Sequence, residues 1–295
     1  MKQITIVVAT DDNYLVLLAA LINSIETNLQ PGNSIDLWII EDHVSASNKQ
    51  KLQRSVNATI TRLHWQSMYQ VIPAGIELPL DRSSYPLNIY MRLFIPYFIP
   101  KEVDKVLYLD VDMIVQKDLS ALFEIDLGNA LVGAVLDPRI ITFDNTWGGV
   151  LNYAELGLDA KTRYFNTGLL LIPTKKWLEE DIPVKIIRCI DDNKKFANYP
   201  DQYGMNVVLA NRWLEIDPLW NHFCTIEHPD PYLIHFVQRK PIFKSYNNSI
   251  TYQNIFYQYL SHTEWKNEKP RGESGRYLKK LTNILDKVFK QVGIK

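Results

Sequence analysis

The chain has 295 residues, 46% of them hydrophobic and 22% charged, with a formal net charge of -1. That composition supports a sizeable core and excludes a disordered chain, and the near-zero charge gives no global electrostatic reason to bind nucleic acid. The two cysteines, Cys189 and Cys224, have no metal-ligand spacing and form no disulfide framework, which fits a reducing cytoplasm.

No signal-peptide pattern precedes the first apolar run, and no apolar run reaches the length of a membrane span. Residues 4–9 predict a strand, and residues 14–25, rich in Leu and Ala, predict a buried helix. A second strand follows over 35–40, then a helix over 47–56 capped by Ser45 or Ser47, then a weak third strand over 59–63. This β-α-β-α-β order predicts an α/β fold with a mostly parallel sheet and helices on both faces. Ligands of such sheets bind beyond the carboxyl ends of the strands. Thr10-Asp-Asp-Asn-Tyr14 falls on that edge.

The stretch Val106 to Val115 sets Asp110 and Asp112 between apolar runs. Buried strand seldom tolerates carboxylates unless they are paired or bound to a metal. If the strand continues through them, residues i and i+2 share a face. If it ends at Asp110, the exit loop presents them. A solvated strand-end turn is the plain alternative, so the context of this lone Asp-x-Asp decides.

Residues 131–136 predict a strand that runs to Asp137-Pro138. Phe165 to Ile172 switches from polar to apolar after Asn166, Thr167 and Gly168, and a helix starts at Lys175. Residues 246–275 read as a polar, aromatic and irregular C-terminal layer separate from the core. In the tail, Leu278, Leu281, Leu285, Val288 and Val292 line one stripe of a lysine-rich amphipathic helix over 276–292. Such a helix suits an anionic membrane surface, its own domain or a second copy of the chain.

Six motifs recur in one order: Ala9 to Tyr14, Tyr90-Met-Arg-Leu93, Val106 to Val115, Tyr164-Phe-Asn-Thr-Gly168, Asp201-Gln202, and His235 with Lys240-Pro241. In order and rough spacing the chain resembles glycosyltransferase family 8 over residues 4–243. The resemblance implies a GT-A (Rossmann-like) fold over a catalytic domain of residues 1–245, with an extension over 246–295. It implies retaining transfer of a hexose, glucose or galactose, with N-acetylglucosamine also open, from a UDP-sugar to a glycan, glycolipid or glycoprotein acceptor. It also implies a cytoplasmic protein, at most peripheral on the inner face of the membrane.

The same resemblance implies residue roles that the chemistry supports. Asp110, Asp112 and His235 would hold a divalent cation, and the imidazole favours Mn²⁺ over Mg²⁺. Lys240 would face the diphosphate. Ala9, Asp11, Asn13, Tyr14 and Val111 would bind the nucleotide, with Tyr14 stacked on uracil. The plain alternative is that Asp11, Asp12 and Asn13 merely cap the following helix; both hold if Asn13 or Asp12 caps while Asp11 binds. Arg92, Asp137, Asn166, Asp201 and Gln202 would face the sugar, whose hydroxyls need donors and acceptors. For each there is a structural alternative: a core histidine on a backbone carbonyl for His235, core packing for Tyr14, an ion pair with Asp104 or Asp81 for Arg92, a turn for Asn166 and Asp137.

One segment departs from the family. Its common pattern is His-x-x-Gly-x-x-Lys-Pro-Trp, whereas this chain reads His235-Phe-Val-Gln-Arg-Lys-Pro-Ile242, without the glycine and one residue shorter. That change favours a nucleotide-sugar-binding protein with a decayed site as the second reading. A sugar-phosphate nucleotidyltransferase is the third, weakened because Ala9 to Tyr14 is acidic and glycine-free.

Overall fold

In β1 (Gln3–Asp11) residues Ile4 to Val8 are buried without alternation, the pattern of a strand covered on both faces. The computed structural model describes residues 2–80, 85–274, 282–285 and 287. β1 pairs in parallel with β2 (Ser34–Asp42), and β2 with β3 (Thr61–Ser67). On its other side β1 runs parallel to β4 (Lys105–Leu109). Helix α1 (Leu15–Asn28) follows β1, and α2 (Ala46–Ser55) follows β2. Ser45 caps α2 by accepting from the backbone N–H of Asn48.

The sheet then changes direction. β6 (Val132–Leu136) and β7 (Phe165–Pro173) join as antiparallel strands, and β8 (Trp213–Glu215) closes the edge parallel to β6. The seven strands lie in the order β3-β2-β1-β4-β7-β6-β8. Alternate residues feed two cores. Ile6, Leu107 and Leu171 face the core that holds α1, while Val7, Tyr108 and Leu170 face the other. This is the predicted α/β architecture with apolar layers on both faces.

The structure decides one alternative that the sequence left open and shifts one strand boundary. β4 stops at Leu109, just before Asp110, and β5 (Met113–Val115) belongs to a separate three-stranded sheet with β9 (His222–Phe223) and β10 (Leu233–His235). The exit loop therefore presents the two aspartates. The third strand starts at Thr61 because Asn57 turns the chain first, accepting from the N–H of Thr59 at 3.1 Å.

Residues expected to form an irregular layer include a helix, Ile250–Leu260, capped by Ser249. Its Tyr252, Phe256 and Leu260 are buried in the same core as α1, since an aromatic stripe at helical spacing packs where a loop would expose it. The amphipathic helix expected over 276–292 lies mostly outside the described residues; residues 282–285 and 287 are helical. Among the described residues no helix is long and apolar enough to cross a membrane.

Candidate active site

The exit turn after β4, the middle of β7 and the end of β10 meet at one point. Asp110 is tied to β7 by its backbone N–H, which donates to the Gly168 carbonyl at 2.8 Å. Asp112 is tied to β10 through its carbonyl, which accepts from the Phe236 N–H at 2.9 Å. His235 stands opposite Met113 in the β5–β10 pair. Its Nε2 lies 3.4 Å from Asp112 Oδ1 and 3.9 Å from Asp110 Oδ2.

One ligand atom from each of Asp110, Asp112 and His235 falls within 4.8 Å of the others. Two carboxylate oxygens and an imidazole nitrogen are the donor set of a borderline-hard divalent cation. The room left for it is specific. A Cβ on Gly168 would come within 2.6 Å of His235 Cε1 and 3.0 Å of Asp110 Oδ2. The donor chemistry and this cradle both fit a single cation. Among the described residues no backbone carbonyl accepts from the His235 side chain, as the core-histidine alternative would need; its Nδ1 faces Asn221 Oδ1 at 2.8 Å.

Lys240 Nζ forms an ion pair with Asp112 Oδ2 and donates to the Phe236 carbonyl. Burial works against the Asp112 carboxylate, but the ammonium of Lys240 and then His235 hold its pKa far below the usual carboxylate range. Lys240 feels the same burial, and Asp112 raises its pKa above the ordinary lysine value. The shortened segment before Lys240 keeps a glycine-like backbone without the glycine: Gln238 stands at φ +64. Arg239, the other cation there, pairs with Glu273 instead of facing the site.

Arg92 is buried and bridges two site carboxylates. Its Nη2 donates to Asp110 Oδ1 at 3.1 Å, and its Nε lies 3.5 Å from Asp201 Oδ2. Its guanidinium covers the Tyr108 ring at 4.6 Å, and the Tyr108 hydroxyl donates to the same Asp110 oxygen. The surface ion pair with Asp104 is not formed; Asp104 pairs with Lys175. Burial raises the pKa of Asp201, opposed by Arg92.

Asp137, Asn166 and Gln202 form one hydrogen-bonded group. Gln202 Nε2 and Asn166 Nδ2 both donate to Asp137 Oδ2, at 3.2 and 3.3 Å. Gln202 Oε1 accepts from Asn166 Nδ2 and from the Thr167 N–H. A register shift between β6 and β7 at Ala134/Val135 leaves Thr167, Gly168 and Leu169 unpaired with β6, just after Asn166, which pairs with Val135. Gln202 and Asp201 enter on the first turn of the helix Pro200–Val208.

In the nucleotide loop Asp11 Oδ1 accepts from the N–H groups of Asn13 and Tyr14, a turn that leads into α1. Neither Asp12 nor Asn13 caps that helix, whose N-cap Tyr14 has no side-chain capping bond. Asp12 reaches outward to Ser45 and Asn48 of the next helix start. Tyr14 is half-buried against the core beside α1. Its pKa is raised by burial first, with Lys240, Asp11 and Asp112 all close enough to influence it. Ala9 ends the buried run of β1, and Val111 turns its side chain into the core between the two aspartates.

Residues that the sequence did not single out complete the site. Tyr108 and Thr167 hold Asp110 and Asp201. Asn221 holds His235. Arg139 lies between the rings of Trp147 and Phe223, at 5.3 and 4.9 Å, with its Nε 3.6 Å from Asp137. Trp147, Tyr199 and Tyr85 form a chain of neighbouring rings, with centroids 5.8 and 6.0 Å apart. Trp147 is 54% exposed.

The family model for glycosyl transferase family 8 matches residues 5–261. General stress protein A of Bacillus subtilis is 25% identical over 281 residues, covering 88% of this chain and 94% of that protein. The lipopolysaccharide 1,2-glucosyltransferase of Escherichia coli is 25% identical over 278 residues, covering 88% of this chain and 78% of that protein. The chain also matches three streptococcal glycosyltransferases, of which it spans half the length or less. Among solved structures, the galactosyltransferase LgtC in complex with donor and acceptor sugar analogs superimposes with a TM-score of 0.72. It is 24% identical, and the match covers 90% of this chain and 100% of that one. This last likeness establishes the GT-A type of fold.

Proposed function

The chain belongs to glycosyl transferase family 8, and from that premise we propose that it transfers a hexose, glucose or galactose, from a UDP-sugar to a glycan-bearing acceptor with retention of anomeric configuration. The observation that carries this reading is the meeting of Asp110, Asp112 and His235 within 4.8 Å, flanked by Lys240 on one side and by Asn166, Asp137 and Gln202 on the other. Cation chemistry and sugar-binding amides adjoin, as a nucleotide diphosphate-sugar requires. The shortened 235–240 segment keeps Lys240 at the metal ligands, which supports a working site over a decayed one.

Asp110, Asp112 and His235 would hold the cation, and their mixed oxygen and nitrogen set favours Mn²⁺ over Mg²⁺. Such an ion supplies charge stabilisation for a leaving diphosphate. Lys240 adds a cation to the same oxygens once it leaves Asp112. Tyr14 offers its ring to uracil, with Ala9, Asn13 and Val111 lending backbone groups and Asp11 fixing the loop.

At the sugar, Gln202 is a neutral amide held by three hydrogen-bonded partners and is no nucleophile. Asp201 is paired with Arg92 and held by Thr167. Both suit stabilisation of positive charge at the anomeric carbon better than covalent attack on it. We infer that the acceptor hydroxyl attacks from the face that UDP leaves. The Trp147, Tyr199 and Tyr85 rings, tilted against one another, supply aromatic faces for the sugar rings of an acceptor.

A panel of UDP-glucose, UDP-galactose and UDP-N-acetylglucosamine, with NMR of the released or transferred sugar, tests the reading. Turnover of one hexose with retained α-configuration is expected. Inverted product, or a glycosyl adduct on Asp201 by mass spectrometry, would overturn the same-face mechanism.

A further inference from the structure

The orientation of one buried amide fixes the tautomer of His235. The Gly168 backbone N–H can only donate, and it points at Asn166 Oδ1 at 3.0 Å. The side chain of Asn166 is therefore assigned without ambiguity. The same oxygen meets the amide of Asn221 at 2.9 Å, so the atom that faces it is the Nδ2 donor. Asn221 must then turn its Oδ1 the other way, towards His235 Nδ1 at 2.8 Å. An amide oxygen only accepts, so Nδ1 carries the proton. The lone pair of a neutral imidazole is left on Nε2, the atom that faces Asp112 and Asp110 at 3.4 and 3.9 Å.

Local folding makes this placement rigid. Asp217 caps a short 3-10 turn over Pro218–Asn221 by accepting from the Leu219 N–H. That turn delivers Asn221 to the start of β9, which pairs in parallel with β10. Asn221 is 2% exposed and His235 is 5% exposed, so water does not compete for either contact. The Phe223 ring stands edge-on to the imidazole at 5.5 Å and limits its rotation.

We infer that Asn221 is a positioning residue for the metal centre: it holds His235 in the Nδ1–H form, with Nε2 free to coordinate. The inference rests on the metal-dependent reading above and deepens it. It also joins the two halves of the site. Asp137 orients Asn166, Asn166 orients Asn221, and Asn221 orients the imidazole. The amides that face the sugar and the nitrogen that faces the metal thus belong to one hydrogen-bond chain of fixed direction.

The test uses the full chain without donor. Long-range ¹⁵N–¹H NMR of the imidazoles reads the His235 tautomer directly and needs no metal. Mn²⁺ affinity is read separately by EPR titration. Wild type is expected to show Nδ1–H. Asn221→Leu should show a mixture of tautomers and bind Mn²⁺ about 10–100-fold more weakly. Should Asn221→Leu fail to fold, Asn221→Asp keeps an acceptor opposite Nδ1, and it should keep the Nδ1–H form. An Nε2–H imidazole in wild type, or an Asn221→Leu protein with unchanged tautomer and affinity, would overturn the inference. Wild type that shows Nδ1–H but binds no Mn²⁺ would instead count against the proposed function.

Discussion

Gly168 has no room for a side chain beside His235: a Cβ there would lie 2.6 Å from the imidazole Cε1. That contact is far inside van der Waals range, and both residues are fixed by strands. Gly168→Ala must therefore displace His235 or Asp110. We predict a loss of about 1–3 kcal/mol in stability and at least a tenfold loss of Mn²⁺ affinity, measured by thermal unfolding and EPR titration. Unchanged affinity would show that the three ligands are not held by this packing.

Lys240 and Asp112 form a partly shielded ion pair, 18% and 11% exposed at the side chain. Removing one partner leaves a buried charge. Lys240→Met should cost about 3 kcal/mol at neutral pH, as measured by urea unfolding.

The pH dependence of that loss follows from the shifts. Asp112 is depressed below its ordinary value of 3.8. Its stabilising contribution is complete above that value and drains away as pH falls below it towards the folded pKa. Lys240 is raised, so its contribution persists until pH rises through its folded pKa, above the ordinary 10.5. The gap between wild type and Lys240→Met should be widest between these limits and should narrow below about pH 4. A gap independent of pH would contradict the pairing.

Gln238 adopts φ +64, where a side chain is strained and glycine is not. Gln238→Gly is predicted to stabilise the protein by about 0.5–1 kcal/mol, with donor turnover retained. Destabilisation by a similar amount would mean that the Gln238 side chain makes contacts that outweigh the backbone relief.

Trp147 stands exposed beside Tyr199 and Arg139. If acceptor sugars stack on it, Trp147→Ala should raise acceptor KM about fivefold, corresponding to about 1 kcal/mol of ring contact. Acceptor-independent donor hydrolysis should stay the same. A fall in donor hydrolysis would place Trp147 on the donor side instead.

The fold was largely legible because its signals are local. The unbroken burial of Ile4 to Val8 and the all-round apolar face of α1 are written in adjacent residues. The antiparallel entry of β7 is not, since strand direction depends on pairing between distant segments. Asp110, Asp112 and His235 were legible as an ordered set of motifs. Their supports were not: Asn221 is one asparagine after a tryptophan, and Gly168 gains its meaning only when β4 and β10 close around it. Which of Asp11, Asp12 and Asn13 turns the loop was not decided by the sequence, because three consecutive polar residues offer the same local chemistry and only the backbone path selects Asp11. The helix Ile250–Leu260 was missed because its apolar stripe is made of tyrosine and phenylalanine, which also populate irregular surface segments.

In the proposed function these three ligands serve a metal-dependent sugar transfer. UDP release from the preferred UDP-hexose, with Mn²⁺ and with EDTA, in wild type and in Asp112→Ala, tests it most directly. Release is expected from one hexose donor in wild type with Mn²⁺, abolished by EDTA and reduced at least 100-fold in Asp112→Ala, about 3 kcal/mol of transition-state stabilisation. Release that persists in EDTA, or that survives intact in a folded Asp112→Ala protein, would contradict it.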